Sequence, residues 1–202
     1  MLLTMIESLE RVDIILASAS PRRYELLKVL GLNFRVVPSD APEDHSLESD
    51  FQAIVKKNAR NKGMAVAQKY PESLIISADT IVVLGRQIMG KPKTEQEAFR
   101  MLKALSGQTH EVYTGLSLIF KKYERTALDA VCTKVRFRPL SEEEIWAYIN
   151  TGEPFDKAGG YGIQGQGALL VDGIEGCYYN VVGLPLARLF TMLTEFMKHF
   201  VV

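Results

Sequence analysis

Leu16-Ala-Ser-Ala-Ser-Pro-Arg-Arg23 is the stretch where the chain changes from strand to helix, and the rest of the sequence is best read outward from it. The apolar run 12–17 breaks at the serines, after which Leu26, Leu27 and Leu30 share one helical face. Ser20 suits an N-cap, and Pro21 suits the first helical position, where a missing N–H costs nothing. Arg22 and Arg23 are the anomaly. They fall in the first turn, where unpaired N–H groups and the helix dipole already make the field positive, so each cation costs about 0.3–1 kcal/mol at an exposed site. An anion reverses that sign, because a helix N-terminus with added guanidinium forks is a phosphate cradle. The plainer alternative is two solvated surface arginines. It fits a tight strand–Ser–Pro–helix junction less well, since α/β proteins place ligands at the C-terminal ends of strands.

Strand and helix signals continue to alternate. Gly31 closes the first helix, 33–37 reads as a second strand, and 38–48 is a polar loop carrying Asp40, Glu43, Asp44 and Glu48. Ser49 with Gln52 resembles a capping box for a helix to 68. A long strand over 74–84 turns at 85–87 and returns at 88–89. Thr94 with Glu97 caps a helix to 105, and strands over 110–120 and 125–138 meet at the charged turn Lys121-Lys122. Ser141 with Glu144 caps a helix to 150, and a glycine-rich loop fills 151–167. Strands follow over 168–174 and 178–182, then an amphipathic helix over 185–200 with Leu186, Leu189, Phe190, Leu193, Met197 and Phe200 inward. The pattern predicts a mixed α/β chain whose long sheet carries helices, as a single domain over 1–202 with 1–11 a poorly specified lead-in.

The bulk numbers narrow the function. With 202 residues, 47% of them apolar, the chain can build one sizeable core and two lobes around a cleft. Lys plus Arg equals Asp plus Glu at 24 each, so a nucleic-acid polymer is not an expected partner and any anion site must be local. Cys132 and Cys177 lie far apart without a C-x-x-C pairing or a neighbouring His, which supports neither zinc nor a disulfide framework and suits a reducing cytosol. The first ten residues lack a basic n-region and a long apolar core, and no apolar run approaches the roughly 20 residues of a membrane span. A soluble, cytoplasmic protein is expected.

Two residues break their local pattern. Asp79 interrupts Leu74-Ile-Ile-Ser-Ala-Asp-Thr-Ile-Val-Val83, and a mid-strand carboxylate is costly unless it is paired, bound to metal or satisfied at a bulge. A buried acid in a cleft is a favoured general base or metal ligand. Lys62 falls on the stripe Phe51, Val55, Asn58, Lys62, Ala65, Val66, so it points inward and needs an acid or an anion unless it snorkels past the helix end. Lys56, Lys57 and Arg60 point elsewhere.

Two motif matches fail on context. Gly85-x-x-x-x-Gly90-Lys91 has P-loop spacing, but Pro92 replaces the magnesium-holding hydroxyl and the segment reads as a hairpin. Lys91 can still reach into a cleft from a hairpin end. Gly160-Tyr-Gly162-Ile-Gln-Gly165 matches a dinucleotide fingerprint, yet no strand precedes it and no helix follows. Its glycines suit a loop passing close to a ligand, and Gln164 offers a donor and an acceptor side by side. That pattern complements the N–H and C=O edge of uracil or thymine, and a buried amide of this kind discriminates well because a mismatch leaves polar groups unpaired.

Taken together, the segments LASASPRRYELL (16–27), NARNKGMAVA (58–67), SADTIVV (77–83), GKP (90–92), ALSGQTHEVYTG (104–115), SEEEIWAYI (141–149), EPFDKAGGYGIQGQGA (153–168) and NVVGLP (180–185) resemble the Maf-type nucleoside triphosphate pyrophosphatases, specifically the branch acting on dTTP and UTP. The resemblance spans nearly all the chain after residue 12. It implies a Maf/inosine triphosphatase-like fold, a mixed, elongated and twisted sheet flanked by helices. It also implies a cytoplasmic, often dimeric hydrolase that uses a divalent cation, Mg²⁺ or Mn²⁺, to convert a nucleoside triphosphate to the monophosphate and pyrophosphate. By motif position it places the catalytic aspartate at Asp79, specificity residues at Arg22, Thr80 and Gln164, and phosphate-site residues at Ser18, Arg23, Lys62 and Lys91. Asp79 with Glu43 would hold the cation. Two other functions compete with this one: a non-catalytic protein acting on the division machinery, and a pyrophosphatase for modified purine triphosphates.

Overall fold

The computed structural model describes residues 9, 12–43 and 50–198. Its strands hydrogen-bond in the order β2-β1-β3-β5-β6-β7, with β4 pairing β3: β1 Ile14–Leu16, β2 Arg35–Val36, β3 Leu74–Leu84, β4 Gln87–Met89, β5 Thr109–Phe120, β6 Arg125–Phe137 and β7 Val171–Glu175. The sheet is mixed. β1 runs parallel to both β2 and β3, whereas β3–β4 and β6–β7 are antiparallel. The chain divides into two compact units, and β3, β5 and β6 each contribute to both.

The first unit runs to Asp79 and includes Thr114–Val131 and the residues from Gly183. The junction at 16–23 folds as the sequence indicates. Ser20 caps α1 (Pro21–Lys28), accepting from the Arg23 backbone N–H at 3.5 Å, and Gly31 leaves the helix at φ +68°. The long helix α2 (Phe51–Ala67) is capped by Asp50, whose carboxylate accepts from the Gln52 and Ala53 N–H groups at 3.0 Å each. The expected cap Ser49 lies outside the described residues.

Two glycines set how closely α2 lies on the sheet. A Cβ at Gly63 would fall 2.5 Å from Ser77 Oγ, and a Cβ at Gly115 would fall 2.2 Å from the Val55 carbonyl oxygen. Ser77 then donates to the Ala59 carbonyl at 2.7 Å, a helix-to-strand bond that needs this close approach. Ile15, Ala17, Val66, Ala67, Ile75 and Ile119 fill the space around it.

The terminal helix α6 (Leu186–Met197) buries Leu186, Leu189, Met192, Leu193, Phe196 and Met197. Its inward stripe is displaced from the expected one: Phe190 is only half-buried, Met192 and Phe196 are inside, and Phe200 lies outside the described residues.

The second unit is Thr80–Tyr113 with Cys132–Val182. The β3–β4 hairpin pairs Val82 with Met89, which removes any phosphate-loop geometry from Gly85–Lys91. Helices α3 (Glu95–Leu105) and α4 (Glu142–Ile149) start at Thr94 and at the Ser141–Glu144 capping box. The glycine-rich segment coils into 3-10 turns over Glu153–Asp156, Ala158–Gly160 and Gly165–Leu170. Consequently the expected strand at 168–174 begins only at Val171.

The expected strand at 178–182 is instead a short helix, α5 (Tyr178–Val182). Its Tyr-Tyr-Asn-Val-Val composition favours a strand, but tertiary bonding decides otherwise. Asn180 is completely buried and its amide donates to the Val112 carbonyl at 2.9 Å and to Thr133 Oγ1 at 3.0 Å.

His110 sits in the core of this unit, edge-on to the Phe137 and Tyr161 rings, with Nε2 2.7 Å from Tyr161 Oη. Burial lowers its pKa from 6.5 to about 4. Between those two values the unfolded chain holds a proton that the folded chain does not. The stability contributed by neutral His110 is therefore complete above pH 6.5 and drains away as pH falls towards 4, a loss of about 3 kcal/mol in all. Urea unfolding at pH 7.5 and pH 4.5 should show this acid loss in the natural chain and a clearly smaller one in His110→Gln.

Candidate active site

The end of β1 and the start of α1 supply the first basic groups. Ser18 is buried, and its hydroxyl accepts from the Ser20 N–H at 3.2 Å and from Arg23 Nη1 at 3.4 Å. Arg23 Nε also donates to the Gly183 carbonyl at 2.9 Å. The guanidinium is thus fixed at both ends, along the first turn of α1 and against the residues preceding α6. Burial pulls its pKa below the ordinary value. The carboxylates of Asp79 and Glu43 oppose that effect, and the neighbouring Arg22 charge adds to it. Electrostatics therefore couples Arg23 to both acids, with Arg22 as a like charge beside it.

Asp79 is the last residue of the first unit along β3 and is 2% exposed. It shares a strand face with Ser77, the face against which α2 packs. α2 satisfies both of its oxygens. Lys62 Nζ lies 2.6 Å from Oδ1, and the Asn58 amide donates to Oδ2 at 3.1 Å. Lys62 and Asn58 are four residues apart and so stack on one face of the helix. Lys62 does not snorkel: its second carboxylate partner is Glu43 Oε1, also at 2.6 Å, while Glu43 itself remains exposed. An ammonium has three donors, and two of them go to these acids.

Ser18, Arg22, Arg23, Glu43, Lys62 and Asp79, singled out in the sequence, therefore gather in the first unit. The other three lie in the second unit. Thr80 follows Asp79 directly, but strand alternation turns its side chain to the opposite face of β3. Lys91 is exposed just beyond β4. Gln164 is exposed rather than buried, and it caps the last 3-10 turn with extended backbone. The hairpin end and the glycine-rich segment are tied by a Gly159 N–H to Gly90 carbonyl bond at 3.0 Å, so Lys91 and the loop of Gln164 belong to one substructure.

Sequence reasoning placed Asn58 on the inward stripe without giving it a task. An amide on the inward stripe, one helical turn from an inward lysine, was the available signal. Nothing in the local sequence marked Gly115 as the residue that lets α2 approach.

The donor set suits a hard cation. Asp79 and Glu43 offer carboxylate oxygens converging on one point, since both contact the same Lys62 nitrogen. Among the described residues no three His, Cys, Asp or Glu side chains gather to form a cage. Magnesium characteristically takes one or two protein carboxylates and completes its sphere with water and phosphate oxygens. These residues could therefore hold a cation shared with a phosphorylated ligand.

A fixed carboxylate beside an inward lysine, with a locked arginine at a helix N-terminus, is an arrangement that suits a phosphorylated ligand on a mixed α/β scaffold. The Maf-like protein family matches residues 13–196, and the chain belongs to that family. Among its relatives are proteins named dTTP/UTP pyrophosphatase. That of Dictyoglomus turgidum is 49% identical over 92% of this chain and 97% of its own length. The one from Carboxydothermus hydrogenoformans is 50% identical over 91% and 98%, and the one from Clostridium perfringens is 47% identical over 92% and 97%. A crystal structure titled protein VC0702 from Vibrio cholerae covers 89% of this chain and 95% of its own at TM-score 0.40 and 10% identity, too loose a likeness to bear on the fold.

The Asp79–Lys62 pair gives a direct test of this geometry. Lys62→Met leaves a carboxylate almost wholly buried without its cation, which typically costs about 3–5 kcal/mol, whereas removing both charges costs far less. In a double-mutant cycle by urea unfolding, Lys62→Met/Asp79→Asn should therefore be more stable than Lys62→Met alone. Additive losses would mean that the two side chains do not interact.

Proposed function

We propose that this protein is a nucleoside triphosphate pyrophosphatase that hydrolyses dTTP and UTP to the monophosphate and pyrophosphate, clearing them and modified pyrimidine nucleotides from the nucleotide pool. The observation that carries this reading is the buried Asp79 carboxylate, held by Lys62 and Asn58 beside Ser18 and Arg23. The names of relatives nearly half identical over almost the whole chain supply the substrate class. The balance of 24 basic and 24 acidic residues supports a small anionic substrate over a nucleic-acid polymer. Among the described residues no helix is long and apolar enough to cross a membrane. A cytoplasmic homodimer is the assembly this family resemblance favours.

In this reading Arg22, Arg23 and Lys62 neutralise the triphosphate and Ser18 hydrogen-bonds to it, while Lys91 is the further phosphate-site residue that the family resemblance implies. Water attacks the α-phosphorus and pyrophosphate leaves. Asp79 is the catalytic carboxylate, and its two anchored oxygens let it take a proton or a cation without reorganising, which is how preorganised sites lower barriers. A divalent cation, Mg²⁺ or Mn²⁺, held by Asp79 and Glu43, would supply the charge neutralisation that phosphoryl transfer needs. Lys62, bonded to both acids, keeps them together and retains a third N–H for a phosphate oxygen. Arg22, Thr80 and Gln164 set specificity, with Gln164 matching the N–H and C=O edge of thymine or uracil.

Asp79→Asn keeps the shape of the side chain and removes its charge. Pyrophosphate release from dTTP should fall at least about 100-fold while the circular dichroism spectrum is unchanged; a near-normal rate would remove Asp79 from the chemistry. For the base, kcat/KM across dTTP, UTP, CTP and methylated purine triphosphates should favour the first two. Gln164→Ala should level the pyrimidine ratios more than it slows the best substrate. Preference for a modified purine would transfer the protein to that substrate class.

A further inference from the structure

Gln164 lies on a glycine-rich segment whose exposed backbone would be expected to move, yet side chains bond that backbone on either side of it. Upstream, the Gly162 N–H donates to Tyr148 Oη at 3.2 Å. Downstream, the Gln166 N–H donates to Glu153 Oε1 at 3.1 Å. Both anchors come from firmly held structure. Tyr148 lies in α4 and is 4% exposed. The Glu153 N–H donates to Thr151 Oγ1 at 3.1 Å, and its carbonyl accepts from Lys157 Nζ at 2.6 Å. Burial raises the pKa of the Tyr148 hydroxyl, and the nearby Glu153 charge raises it further. The hydroxyl therefore stays neutral and accepts from the Gly162 N–H.

The glycines show how tightly the segment closes on this pair. A Cβ at Gly167 would fall 2.0 Å from the Gly162 carbonyl oxygen and 2.8 Å from Tyr148 Oη. A Cβ at Gly165, where φ is +66°, would fall 2.8 Å from Glu153 Oε1. The backbone contact excludes any side chain at Gly167 and the positive φ favours glycine at Gly165, and the two flank the Gln166 anchor downstream of Gln164.

We propose that Tyr148 and Glu153 are positioning residues for substrate selection: they clamp the backbone on both sides of Gln164 and so fix the direction in which its amide is presented to the base. The proposal rests on the base-reading role given to Gln164 above. Discrimination by one amide depends on where that amide is held, and the Gln164 main chain sets the origin and direction from which its side chain reaches. A clamp two residues away on each side removes that freedom from the backbone without touching the substrate.

Three variants and two readouts test the clamp. Tyr148→Phe deletes one anchor and keeps the ring. Glu153→Ala deletes the other, and Glu153→Gln restores an acceptor for the Gln166 N–H. Hydrogen exchange should quicken at Gly162 and Gln166 in Tyr148→Phe and Glu153→Ala and stay near the natural rate in Glu153→Gln. The ratio of kcat/KM for dTTP over CTP should drop about tenfold in the first two, the scale of one lost hydrogen bond. That loss should fall on KM more than on kcat, and Glu153→Gln should recover most of it. Faster exchange with an unchanged ratio would overturn the positioning role, as would unchanged exchange. If Gln164→Ala itself leaves the ratio unaltered, the base-reading assignment fails instead, and that outcome is distinguishable because the exchange data still report the clamp.

Discussion

The ion pair between Lys62 and Asp79 is the constraint on which the site depends. A carboxylate with 2% exposure in the middle of a strand is tolerable only if its charge is balanced and its lone pairs are filled. One helix does both, with Lys62 on one oxygen and Asn58 on the other. A replacement by apolar residues of similar volume would serve stability equally well or better. The pair is therefore hard to explain as a stabilising device and easy to explain as a functional one. It also carries Glu43, an exposed acid from an irregular loop, to a defined place through the same ammonium.

That pair constrains the backbone around it. Lysine and asparagine reach Asp79 only if α2 lies unusually near β3 and β5, and side chains at 63 and 115 would hold it away. Glycine at both positions removes the obstruction, and the Ser77 bond to the Ala59 carbonyl records how close the approach is. On the other side, Ser18 and the Gly183 carbonyl immobilise Arg23, so the positive groups nearest the acids are fixed before any ligand arrives. Fixed charges do not have to reorganise during a reaction, and that is where electrostatic catalysis gains most.

Much of this was legible in the sequence because it is local. Ser20, Thr94 and the Ser141–Glu144 box cap the helices they precede, and the inward position of Lys62 follows from a 3.6-residue period alone. Asp79 declared itself by interrupting an apolar strand. The errors came from non-local causes. The segment 178–182 has strand-like residues, but the bonds of Asn180 to Val112 and Thr133, 68 and 47 residues away, make it a helix. Asp50 accepts the first N–H groups of α2, a cap that spacing alone did not single out. Gln164 read as a buried amide, yet it is exposed, and what holds it is hydrogen bonding of the backbone on either side rather than burial.

An exposed residue can be specific if its surroundings supply the order that burial would otherwise give. A buried amide is oriented by its neighbours; an exposed one must be oriented through its own main chain. Conformational freedom in a glycine-rich segment is larger than in any other, so an unanchored loop here would spend much of its binding energy on ordering. Two hydrogen bonds from structured residues offset that cost before any ligand binds, which is the thermodynamic meaning of preorganisation. The same logic governs Asp79 and Gln164 in their separate units: each group given a task in the proposed reaction is set by partners that bond to it, or to the backbone on either side of it.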